Sequence, residues 1–148
     1  MKKLIDNANI KLDITVYILP YPSIFIKQYY EIIKAAAKGF TALGLKETHA
    51  VAIMAANCPE WFATSYASIF AGGIPCGIYP TSSPEIASYI CKNASADILI
   101  MDDIDMLIKV IDGRGTIADA FPGVKYVILI NASDENIKEG TIFHYSKI

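Results

Sequence analysis

Apolar and polar positions alternate in two periods along this chain. From Gln28 to Leu45, Tyr29, Ile33, Ala36, Phe40 and Leu43 fall in one stripe at 3.6-residue spacing, with Glu31, Lys34 and Lys38 opposite. That pattern predicts an amphipathic helix ended by Gly44. His49 to Asn57 is a continuous apolar run, as expected of a strand buried on both faces. Pro59 and Glu60 then open a second helix: a first-turn proline has no N–H to lose, and an acid suits the positive helix end. Small residues let this helix lie close to a sheet, and Gly72-Gly73 end it. A short strand over Ile74–Pro80 follows, then a helix started by Ser83, Pro84 and Glu85. A strand over DILIMD, a helix over DIDMLIKVID, a short helical turn at TIADAF and the strand Val124–Asn131 complete the pattern. The tail TIFHYSKI carries no clear element. Alternating helices and strands with short joints predict an α/β fold with a mostly parallel sheet and helices on both faces.

The glycines of FAGGIPCGIYPTSSPE raise the question of a phosphate loop. Such a loop needs its glycines between a strand and the helix that follows. Gly72 and Gly73 follow a helix, and Gly77 lies in a strand. Neither G-x-G-x-x-G nor G-x-x-x-x-G-K-[ST] occurs. The segment therefore reads as helix stop, strand and helix start, with Thr81 to Glu85 as an N-cap joint. Asp102, Asp103 and Asp105 read as acids at a helix start rather than metal ligands. His49 and His144 lie in unrelated contexts and read as ordinary polar residues. Trp61, Phe62 and Tyr66 read as core, and Asp112–Gly115 as a surface turn.

Composition narrows the picture further. Of 148 residues, 53% are apolar and 19% charged, with a net charge of −2. That suffices for a buried core and leaves no basic footprint for nucleic acid. Cys58, Cys76 and Cys91 are odd in number, and each sits in an apolar run, so they read as small buried side chains. The apolar run Ile14–Ile26 is broken by Pro20 and Pro22 and is too short for a bilayer span.

With these residues in view, the chain resembles the ATP-dependent acyl-CoA synthetases of the adenylate-forming superfamily. AKGFTALGL, HAVAIMAANCPEWF and IFAGGIPCGIYPTSSPE carry the likeness, and N-C-P-E-W with A-G-G-I-x-x-G-I-Y-x-T-S-S-P-E most resembles the bubblegum-type long-chain and very-long-chain fatty-acid–CoA ligases. The likeness covers about Gln28 to Asn131 and is strongest from Ala37 to Glu85. It implies a partial N-terminal subdomain of the synthetase fold over residues 28–148, truncated, behind a divergent segment 1–27. It also implies a two-step reaction: fatty acid and MgATP give an acyl-adenylate and pyrophosphate, then coenzyme A gives acyl-CoA and AMP. The family's Ser/Thr/Gly-rich ATP loop, later acidic motif and C-terminal catalytic lysine have no counterpart in this sequence. No catalytic, cofactor-binding or metal-binding residue is therefore assigned. ATP, Mg²⁺ and CoA are implied for the full-length family only, and the chain is expected to be an inactive fragment.

The alternative is a non-catalytic α/β module that binds a partner such as a full-length ligase. An unrelated doubly wound ligand-binding domain would need the missing glycine loop. Neither nucleic acid nor a transmembrane segment is expected. Self-association through exposed apolar surface is, because four strands near Val51, Ile78, Leu99 and Ile128 leave part of the family's sheet unbuilt. By resemblance the location is the cytoplasm, at the periphery of the endoplasmic reticulum membrane.

Overall fold

The computed structural model describes residues 15–16, 24–111, 116–131 and 142–144, with backbone alone at 15–16, 24 and 142–144. Strands β1 (Thr15–Val16) and β2 (Ile24–Phe25) pair antiparallel as a small sheet of their own. The other residues before Ile24 lie outside those described, and with them the expectation of a divergent start. The Asp112–Gly115 turn also lies outside them.

Helix α1 (Ile26–Ala42) begins two residues earlier than its pattern predicts. It buries the expected stripe: Ile33, Ala36 and Phe40 are enclosed, and Tyr29 and Leu43 pack against them. Its end is a Schellman turn. Gly44 adopts φ +78°, Gly44 N–H donates to the Thr41 carbonyl at 3.0 Å, and Leu45 N–H donates to the Phe40 carbonyl at 3.0 Å. These bonds satisfy carbonyls that the helix end would leave open.

The main sheet is built from β3 (Ala50–Met54), β4 (Ile74–Gly77), β5 (Ala96–Asp103), β6 (Tyr126–Asn131) and β7 (Ile142–His144). Helices α2 (Pro59–Phe70), α3 (Pro84–Asn93), α4 (Ile104–Ile111) and α5 (Ile117–Ala120) join them in chain order. All pairings are parallel, in the order β4-β3-β5-β6-β7. The sheet thus has one strand more than the sequence pattern predicts. Ile142–His144 pairs with Val127–Leu129, and three residues are too few to show a period.

Strand residues alternate between two cores, as a sheet covered on both faces requires. Val51, Ile53, Ile98, Ile100 and Ile128 point to α1 and α2. Ala52, Met54, Leu99, Met101, Val127 and Leu129 point to α3, α4 and α5. Cys58 and Cys91 are buried among them, as expected, while Cys76 is half-buried.

Helix α2 departs from the expected core. Its buried stripe is made of small residues, Ala63, Thr64, Ala67 and Ser68. Phe62 and Tyr66, read from sequence as core, are exposed, and Trp61 is only partly buried. The helix sits close enough to the sheet that large side chains have no room between them. The Gly-Gly stop has two separate causes, backbone conformation at Gly72 and crowding at Gly73. Gly72 takes φ +85° at the helix end, and a Cβ on Gly73 would lie 2.8 Å from Leu45 Cδ2 and 2.9 Å from the His49 carbonyl oxygen.

Candidate functional site

The connection leaving β3 runs to β4 on one side, and the connection leaving β5 runs to β6 on the other. Such a switch in direction opens a crevice at the carboxyl ends of the two strands. The joint Ala55–Cys58 leaves β3 there, and Asp102 and Asp103 end β5. Asp102 Oδ2 accepts a hydrogen bond from Ala56 N–H at 2.8 Å and ties one strand's exit to the other. Asp103 Oδ1 accepts from Met106 N–H at 2.8 Å and starts α4. Asp105 occupies the exposed first turn of that helix. Asp103 and Asp105 stand at the helix start, as their pattern predicts, whereas Asp102 ties the two strand exits together, which it does not. Among the described residues no group of three His, Cys, Asp or Glu side chains is placed to share a metal ion.

Two clefts flank the loop that follows β4. One, about 300 Å³, lies between Asn57 and Trp61 on one side and Gly77, Tyr79 and Pro80 on the other. A Cβ on Gly77 would stand 3.3 Å from Trp61 Cζ2, so the bare backbone lets the indole edge lie against β4. The second cleft, about 240 Å³, is bordered by Met54, Ser82, Asp103, Asp105 and Lys109. Ser83 does what its position predicts: its hydroxyl accepts Ile86 N–H at 3.4 Å and caps α3. Helix α2 opens on Pro59, which has no N–H, so its first turn presents one donor fewer to an anion.

A charged cluster that the sequence reading missed lies at the opposite end of the sheet. The register of β3 against β5 slips between Ala50 and Val51, which places an extra residue, Asp97, in β5. The Asp97 side chain is only 4% exposed. Its carboxylate receives Lys46 N–H at 3.0 Å and Lys125 Nζ at 2.9 Å. His49 Nδ1 stands 3.2 Å away, at an ion-pair distance but without a hydrogen-bond angle. Burial pushes the Asp97 carboxyl up, but the hydrogen bonds from Lys125 and Lys46 and the charges of Lys125 and His49 outweigh it and hold the group below its ordinary 3.8. The cluster fastens the starts of β3, β5 and β6. One charge at the head of an apolar strand is a signal in the sequence; its partners depend on strand register. His144 belongs to β7.

The three cysteines show no nucleophile. Burial pushes Cys58 up to about 11 and Cys91 up to about 12, and it raises Cys76 as well. Such thiols stay largely protonated near neutral pH, and the two buried ones are shielded as well.

Sheet order and the crevice at the switch in strand direction define an α/β domain with a parallel sheet. The family model of the AMP-binding enzymes matches residues 6–141, and the chain belongs to that family. It is 41% identical over 109 residues to the human long-chain-fatty-acid–CoA ligase ACSBG1, covering 74% of this chain and 14% of that protein. It is 40% identical over 102 residues to the Xenopus laevis ligase ACSBG2, covering 69% of this chain and 13% of that one. The chain thus spans about a seventh of these relatives. Coronafacic acid ligase from Pectobacterium brasiliense shares the fold, with a TM-score of 0.71 at 17% identity over 85% of this chain and 24% of its own. Among the described residues no helix is long and apolar enough to cross a membrane.

Proposed function

We propose that this chain is the N-terminal part of the AMP-binding domain of a long-chain fatty-acid–CoA ligase. The observation that carries the reading is the 41% identity to the human ligase over 109 residues, which take in most of the sheet. The whole enzyme would join a fatty acid to coenzyme A through an acyl-adenylate, releasing pyrophosphate and AMP, in the cytoplasm at the endoplasmic reticulum membrane. This chain supplies the scaffold and not the chemistry. Three carboxylates stand at the crevice, where they oppose a triphosphate, and the Ser83 hydroxyl is already committed to its cap. ATP, Mg²⁺ and CoA would be held by other parts of such an enzyme.

The test is a full-length human ligase whose matched segment is replaced by residues 28–131 of this chain. The expected result is palmitoyl-CoA formation within about ten-fold of the parent, a barrier change of roughly 1.4 kcal/mol. A cooperatively folded chimera that forms no thioester overturns the reading. The 148-residue chain alone, given ATP, Mg²⁺, CoA and palmitate, is expected to release no pyrophosphate, and turnover by pure chain would refute the scaffold role. A second reading, a non-catalytic module that binds a partner, is favoured by the aromatic face of α2. With that face in water the isolated chain is expected to self-associate, which light scattering over a concentration series checks.

A further inference from the structure

Charge is segregated along the sheet. The crevice at the carboxyl ends of the strands carries Asp102, Asp103 and Asp105. At the amino ends the balance is the reverse. A pocket of about 310 Å³ opens there, bordered by Lys46, His49, Lys92 and Lys125. They come from four separate segments: the joint after α1, the residue before β3, the last turn of α3 and the residue before β6. Among the described residues Asp97 is the one acid on the pocket wall. Three lysines against one acid leave two positive charges in excess, in a chain whose net charge is −2.

The neighbouring groups use up little of that excess. Asp97 spends Oδ1 on Lys125 Nζ at 2.9 Å and Oδ2 on a backbone group, Lys46 N–H, at 3.0 Å. Lys46 and Lys92 are exposed, and their ammonium groups pair with no carboxylate among the described residues. The helix ends nearby are closed by their own turns. Carbonyls ending α1 accept Gly44 and Leu45 N–H, both at 3.0 Å, and those ending α3 accept Ala94 and Ser95 N–H at 2.9 and 3.1 Å. The dipole charge left at such an end is about half a unit and short in range. Ser95, held in a left-handed turn at φ +51°, adds an exposed hydroxyl to the same wall. Like charges round a hollow repel one another, and an anion entering it gains from all of them.

We propose that this pocket binds a phosphate monoester, its oxygens taken by the ammonium groups of Lys46, Lys92 and Lys125 and the hydroxyl of Ser95. A phosphate monoester carries about −1.5 to −2 near neutral pH, which matches the excess where a single carboxylate would not. The phosphate leaves room in the hollow for the group esterified to it. The site lies at the far end of the sheet from the crevice and does not rest on the ligase reading.

Urea melts of the 148-residue chain at one fixed chain concentration test the proposal. They compare about 20 mM glycerol 3-phosphate with sodium chloride of equal ionic strength. For a dissociation constant of about 1–5 mM, the midpoint should rise by about 0.5–1 M urea. The double variant Lys46→Gln, Lys92→Gln should lose most of the rise. The control Lys38→Gln, Lys109→Gln removes the same charge from exposed positions elsewhere and should keep it. Ser95→Asp sets a carboxylate among the lysines, on a left-handed backbone that Asp tolerates, and should abolish the rise. That variant decides the matter if the lysine pair fails to fold. An equal rise in wild type, the lysine pair and Ser95→Asp overturns the proposal, as does an equal loss in the control. Wild type that shows no rise but sediments with phosphatidic-acid vesicles, when the lysine pair does not, places the phosphate on a lipid head. Absence of both responses overturns the site.

Discussion

Replacing Asp97 with alanine removes the one carboxylate that fastens three strand starts. The Lys46 N–H would lose a charged acceptor at 3.0 Å in a part-buried hydrogen bond, a loss of about 1.5–3 kcal/mol. The Lys125 side chain is 42% exposed and can turn to water, so its share is about 0–1 kcal/mol. Together these come to about 1.5–4 kcal/mol, against a typical whole-domain stability of about 5–15 kcal/mol. With a urea m-value of about 2 kcal/mol/M, the unfolding midpoint should fall by about 1–2 M. Asp97→Asn keeps an acceptor for Lys46 and should cost about half as much. The pH dependence has a definite sign. The folded carboxyl lies below its unfolded value of 3.8, so its contribution is fully present above that pH and fades as pH falls through the folded value. The gap between wild type and Asp97→Asn should therefore hold near neutral pH and close under acid. Urea melts from pH 7 to pH 2 measure this. A midpoint shift for Asp97→Ala no larger than that of the exposed control Asp105→Ala would refute the clamp, as would a gap that ignores acid.

Other expectations follow from single contacts. Gly44→Ala meets open space and should cost about 1 kcal/mol from its left-handed backbone alone. Gly73→Ala should cost more, about 1–3 kcal/mol, since its Cβ presses on a carbonyl oxygen that cannot yield; urea melts rank the pair. Gly77→Ala should displace the Trp61 indole and shift its fluorescence with a stability loss under about 1 kcal/mol; unchanged emission would place the indole elsewhere. In native thiol titration at pH 8, Cys76 should react first, and Cys58 and Cys91 only on unfolding.

Elements announced by local chemistry were legible in the sequence. Pro59 and Ser83-Pro84 mark their helix starts because capping depends on neighbours in the chain. The stripe from Tyr29 to Leu43 identifies the buried face of α1 because only one side of that helix is apolar. Strand β7 was not legible, since a pairing of three residues is decided by β6 beside it. Asp97 stood in plain view as a charge at the head of an apolar strand, and so did Lys125. Its role needed the slip in register that turns it toward Lys46 and Lys125. The orientation of α2 was half legible. Its small residues suggested close approach to a sheet, but with apolar side chains on both faces the period alone did not decide that Phe62 and Tyr66 point outward.

That orientation reverses the usual relation between side-chain size and tolerance to substitution. A mutational scan of α2 should find its least forgiving positions at Ala63 and Ala67, both fully enclosed. There even one added methylene would have to push the helix off the sheet. Phe62, Tyr66 and Ile69, the residues most readily taken for the hydrophobic centre, should accept serine or glutamine in the isolated chain with little loss of fold. A stability-selected library of this chain would therefore enrich polar residues at positions that are aromatic or branched in the native sequence.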